Sequence, residues 1–126
     1  MKKILLALTL VFAVSSSAFA ASTETEPNNT AATANVLEIN SSISGQADNS
    51  DVDMFVFVAN QTGKMSTKVT KKNQSLVVYA VFASDKTTLI AESPGTAEFD
   101  VVAGETYYIK LLSFGKSNYN LSLNNL

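Results

Sequence analysis

The sequence predicts an all-β fold: an antiparallel β-sandwich, jelly-roll-like, with about eight strands. Three observations predict it. Beyond residue 40, apolar and polar residues alternate in short runs, the period-two pattern of strands buried on one face. Polar or glycine-containing turns separate these runs at roughly ten-residue spacing, as in sandwiches. There is also no room for the helical crossovers that parallel strands need.

The elements follow in order. Lys2 and Lys3, the apolar stretch Ile4 to Val14, and Ala18-Phe19-Ala20 have the form of a secretory signal peptide cleaved after Ala20. The apolar stretch is too short to span a bilayer. Cleavage leaves one domain, residues 21–126. Residues 21–29 are polar, and Pro27 favours an extended Glu26. The alanine-rich residues 30–37 suit a short helical turn or a loose strand. Residues 42–46 form a short strand that leads into an acidic turn, and 53–59 a strong one. In 64–71, Met65, Thr67 and Val69 face one way, and Ser66, Lys68 and Thr70 the other. Residues 71–74 are a polar turn. Residues 76–83 are almost continuously apolar, which predicts a central strand buried on both sides or one carrying a binding face. Residues 88–92, 96–102, 106–114 and 118–123 complete the set. The turn at Pro94-Gly95 is one of those between them.

Composition excludes several function classes. The chain has no cysteine and no histidine, so disulfides, thiolate or zinc sites and histidine-based triads are absent. Without Lys2 and Lys3, seven lysines face eleven acids, a net charge of −4. A mildly acidic domain without arginine does not suit nucleic acid. No Gly-x-Ser-x-Gly elbow or phosphate loop is present, so the chain is read as a non-enzyme. The Asn-x-Ser/Thr triplets are read as incidental.

Two acidic segments stand out: Glu24-Thr25-Glu26-Pro27-Asn28-Asn29, and Asp48-Asn49-Ser50-Asp51-Val52-Asp53 ahead of the apolar run 54–58. They offer carboxylate and amide oxygens without nitrogen or sulfur donors, a set that suits calcium. The spacing is not that of an EF-hand.

With Ser44-Gly45 ahead of the second segment, Gly104 leading into Tyr107-Tyr108-Ile109, and the closing Tyr119-x-Leu121, these segments arrive in the order found in the bacterial pre-peptidase C-terminal domain. The resemblance runs from Glu24 to about Leu123, and the collagen-binding modules of clostridial collagenases belong to the same group. It implies a secreted sandwich in which Glu24, Glu26, Asn28, Asn29, Asp51 and Asp53 hold calcium. It also implies a ligand-binding face on the strand 106–114, where Tyr108, Lys110 and Leu112 point outward if Tyr107, Ile109 and Leu111 point inward. Leu112 stands where the collagen-binding relatives carry a further tyrosine. Tyr79 and Phe82 are expected in the core.

The resulting expectation is a non-catalytic, calcium-binding module, secreted or periplasmic. It would bind an extracellular protein or polymer, or serve a secreted protease. A self-associating structural protein is the alternative. Neither nucleic-acid binding nor membrane insertion of the mature chain is expected.

Overall fold

The computed structural model describes residues 22–72 and 75–126. The expected signal peptide and its cleavage site lie outside the described residues, as do two residues of the 71–74 turn. The strands are β1 Ser22–Thr23, β2 Asn35–Val36, β3 Ser41–Ala47, β4 Val52–Val58 and β5 Gly63–Lys71. They continue with β6 Val77–Phe82, β7 Leu89–Ser93, β8 Thr96–Val101, β9 Thr106–Ser113 and β10 Ser117–Asn125. A 3-10 turn, Ala31–Thr33, precedes β2.

These strands form two five-stranded sheets. The first has the order β2-β4-β9-β6-β7, the second β1-β3-β10-β5-β8. Without the two-residue strands β1 and β2, the remaining orders are those of an eight-stranded jelly roll, with each connection crossing between sheets or closing a hairpin. The pairing is antiparallel with two exceptions. β1 lies parallel to β3, and β2 parallel to β4, against the expectation of a wholly antiparallel fold. No helix is needed, because the arm between them crosses from the second sheet to the first and touches each for only two residues. Among the described residues no helix is long and apolar enough to cross a membrane.

Alternation builds the core. Phe55, Phe57, Ile109, Leu111, Leu121 and Leu123 project between the sheets and are essentially inaccessible. Burying each such side chain contributes about 1.5–3 kcal/mol. Phe57 stacks on Tyr107 at 5.3 Å between ring centroids. Tyr79 crosses the core from the first sheet to the second. Its hydroxyl accepts from Thr67 Oγ1 at 2.8 Å and donates toward the Thr67 and Gly95 carbonyls at 3.0 Å. Gly104 turns the chain into β9 with φ +86°, a conformation that favours glycine.

The outer faces differ in chemistry. The second sheet shows solvent Ser44 and Gln46, Lys68 and Thr70, Glu98 and Asp100, and Asn118 to Asn124 on alternate positions. The first shows Val56 and Val58, then Tyr108, Lys110 and Leu112, then Val78, Ala80 and Phe82, with Met54 buried on the same side. Strand β6 is therefore not covered on both sides, the first of the two readings its apolar sequence allowed; its residues alternate between buried and half-buried. Phe82 belongs to this outer face, not to the core.

Candidate metal centre

The arm and the start of β4 meet at one end of the sandwich. Asp53 opens the inward row Asp53-Phe55-Phe57, so the alternation that buries two phenylalanines also buries a carboxylate, at 0% exposure. The second acidic segment bends first, with Asp48 Oδ1 accepting from the Ser50 amide and hydroxyl at 3.0 Å. The arm is held by backbone bonds. Glu24 donates its N–H to Ser44 O at 2.8 Å, and Met54 donates to Asn28 O at 2.8 Å. The Glu26–Pro27 peptide bond between them is cis.

Carboxylate oxygens of Glu24, Glu26 and Asp53 lie within 4.8 Å of one another. Asn28 joins them, fully buried, its Nδ2 donating to Glu24 Oε1 at 2.9 Å and to Asn35 Oδ1 at 3.0 Å. Tyr119 reaches over from the second sheet and donates to Asp53 Oδ2 at 2.5 Å. The Gln46 amide donates to Glu24 Oε2 at 2.7 Å.

Two buried oxygens at this site have no partner among the described residues: Asp53 Oδ1 and Asn28 Oδ1. Orphaned buried acceptors are costly, about 1–3 kcal/mol each and more when charged. Three crowded carboxylates with two such oxygens make a donor set that a hard cation would satisfy. A cleft of about 780 Å³ opens onto this end, lined by Glu24, Glu26, Gly45, Asp51, Lys71 and Tyr119 among others.

The six residues named from the sequence are therefore not equivalent. Glu24, Glu26 and Asp53 come together, with Asn28 in contact. Asp51 is not one of the three clustered carboxylates; it adds charge repulsion to Asp53 and Glu26. Asn29, with its amide nitrogen turned inward, donates to Val52 O at 2.8 Å and Asp51 Oδ1 at 3.2 Å, which ties down the acidic turn. Three residues with roles here were not singled out by sequence: Asn35, Gly45 as a contact point, and Tyr119 as a hydrogen-bond donor. Tyr119 had a usable signal, since a tyrosine on the buried face of a strand needs a hydroxyl partner.

Burial pushes the Asp53 carboxyl up to about 8, helped by the charges of Glu24, Asp51 and Glu26 and opposed by the Tyr119 bond. Glu26 is raised by burial and by Glu24. Tyr119 is raised by burial and by its bond to Asp53. Without metal, the folded protein keeps a proton on Asp53 that the unfolded chain releases above about pH 4. Stability from this group is thus full below about pH 4 and lost as pH rises toward 8. In chelator, the melting temperature is expected to fall from pH 5 to pH 8, with a limiting slope of about 1.4 kcal/mol per pH unit. A cation held by the same carboxylate would stabilise more over the same range, because ion and proton compete for it. Scanning calorimetry at four pH values checks both trends.

On the first sheet, Tyr107, Ile109 and Leu111 are buried, whereas Tyr108 and Leu112 are half-buried outward and Lys110 is exposed. Lys86 Nζ lies 5.6 Å from the centre of the Tyr108 ring.

No protein-family model and no curated protein matches the sequence. Solved structures do. One is the crystal structure of the pre-peptidase C-terminal domain of a collagenase from Bacillus anthracis, at 20% identity and a TM-score of 0.64, covering 79% of this chain and 99% of that one. Another is the periplasmic inhibitor of g-type lysozyme PliG from Aeromonas hydrophila, at 15% identity and a TM-score of 0.50, covering 82% and 96%. At these identities the likeness is one of fold: the chain folds as the pre-peptidase C-terminal domain of that collagenase does.

Proposed function

We propose that this protein is a secreted or periplasmic, non-catalytic calcium-binding module that recognises a protein partner through the outer face of its first sheet. The observation that carries the metal is the pair of buried, partnerless oxygens, Asp53 Oδ1 and Asn28 Oδ1, beside the Glu24 and Glu26 carboxylates. Calcium would be held by Glu24, Glu26, Asn28 and Asp53, with Asp51 adding charge. Its chemistry there is structural: it offsets the repulsion among the acids and fixes the arm across both sheets. A protein-binding role is supported by the likeness in fold to a lysozyme inhibitor and to a collagenase domain. It is supported equally by the apolar outer row that includes Tyr108 and Leu112, with Lys110 between them.

The test is the melting temperature of protein beginning at Ala21, in calcium and then in excess chelator. At a calcium concentration 100-fold above the dissociation constant, linkage contributes about 2.7 kcal/mol, a rise of about 10 °C for a domain of this size. Identical melting temperatures would remove the metal and leave the fold and the sheet face standing.

A further inference from the structure

We infer that the outer face of the first sheet is an isologous dimer interface, and that its occupant is a second copy of this chain. This rests on reading that face as a binding surface and names what binds it.

The contrast between the two outer faces is the starting point. The second sheet is polar from edge to edge, while the first is apolar over β4, β9 and β6. Strand geometry gives the three-strand patch about 14 Å by 20 Å, roughly 300 Å², at the lower end of the largest patches found on monomers. An apolar face of this size suits many partners, and its charges narrow the choice. Strand register puts Met54, Lys110, Ala80 and Glu92 in one row across β4, β9, β6 and β7. Lys110 and Glu92 are both exposed and stand two strands apart, about 10 Å. Neither has an ion-pair partner among the described residues.

The row is its own complement. A two-fold axis between two such faces, running along β6, lays each β9 over the other copy's β7 and leaves β4 outside the contact. Lys110 then faces the partner's Glu92, and Glu92 faces the partner's Lys110, giving two ion pairs by symmetry. Residues on β6 lie on the axis and meet their own counterparts: Val78, Ala80 and Phe82 supply an apolar seam. In the next row Tyr108 pairs with Phe82 and Phe82 with Leu89, so Tyr108 comes over the partner's Leu89. Leu89 is 51% exposed in the single chain. Aligned packing of two sheets at about 10 Å is the ordinary geometry of sandwiches. A different protein would have to reproduce both the charge order and the apolar seam, which a second copy supplies by symmetry. Two such patches together bury less than about 1,000 Å², so the dimer is expected to be weak and transient, in the high-micromolar range.

Sedimentation velocity on protein expressed with its own leader and purified, from about 5 μM to 1 mM, tests the proposal. The wild type should pass from one to two chains across that range. Lys110→Glu and Glu92→Lys should each hold the protein monomeric at least tenfold higher in concentration. The double variant Lys110→Glu/Glu92→Lys should return the dimer. Both positions are exposed, so unchanged melting temperatures will exclude unfolding as the cause. A wild type that stays monomeric throughout overturns the inference and leaves the face to an unrelated protein. A dimer that both single variants leave intact, or that the double variant fails to restore, overturns it too. Running the series in calcium and in chelator, with melting curves alongside, separates failure of the metal site from failure of the interface.

Discussion

Asp53→Asn should raise the melting temperature of chelated protein at pH 7 and remove the rise on adding calcium. The carboxyl is fully buried, and its folded-state titration near 8 sets it well above the value of 3.8 for an ordinary aspartate. Folding at pH 7 therefore draws in a proton, at a linkage cost on the order of 4 kcal/mol. Asparagine has the same shape without that cost. Its oxygen can accept from Tyr119, as Asp53 Oδ2 does, and its amide can donate to the neighbouring Glu24 or Glu26 carboxylate. The gain in chelator should be several degrees. The calcium increment should shrink from about 10 °C to near zero, because the ion loses its buried anionic ligand. A variant that keeps the full increment would mean that calcium binds elsewhere.

Gly45→Ala should damage the same site from the opposite wall. A Cβ at residue 45 would stand 2.5 Å from Tyr119 Oη and 2.7 Å from Glu24 Oε2. Neither neighbour moves freely, since Tyr119 is bonded to Asp53 and Glu24 to the Gln46 amide. The expected loss is about 2 kcal/mol, in the range for overpacking, together with a tenfold or larger drop in calcium affinity by titration calorimetry. Gly95→Ala is the control. Nothing lies within 4 Å of the added carbon there, and both quantities should hold.

The parts of this molecule that sequence made legible are those set by local period. The inward rows of β5 and β9 could be named because a strand's side chains alternate whatever it packs against. The acidic segments could be named because their chemistry is carried by residue type. What stayed hidden depends on which segments meet. Asn35 holds Asn28 only because the arm folds back on itself. Gly45 matters because Tyr119 arrives from a strand 74 residues further on. Strands β1 and β2 are two residues each, below the length at which a period can be read. The apolar run in β6 allowed either burial on both faces or one face left for binding, because it says nothing of whether a second layer is present in the single chain.

Two tyrosines cross the core in opposite directions. Tyr79 runs from the first sheet to Thr67 on the second, and Tyr119 from the second to Asp53 on the first. Apolar burial between sheets is itself non-directional. A hydrogen bond is directional, and two of them fix both sliding and rotation. Only one of these pins ends on a titratable group. Charge at the acidic end thus acts on the alignment of the sheets as a whole, and loosening there leaves Tyr79 as a pivot.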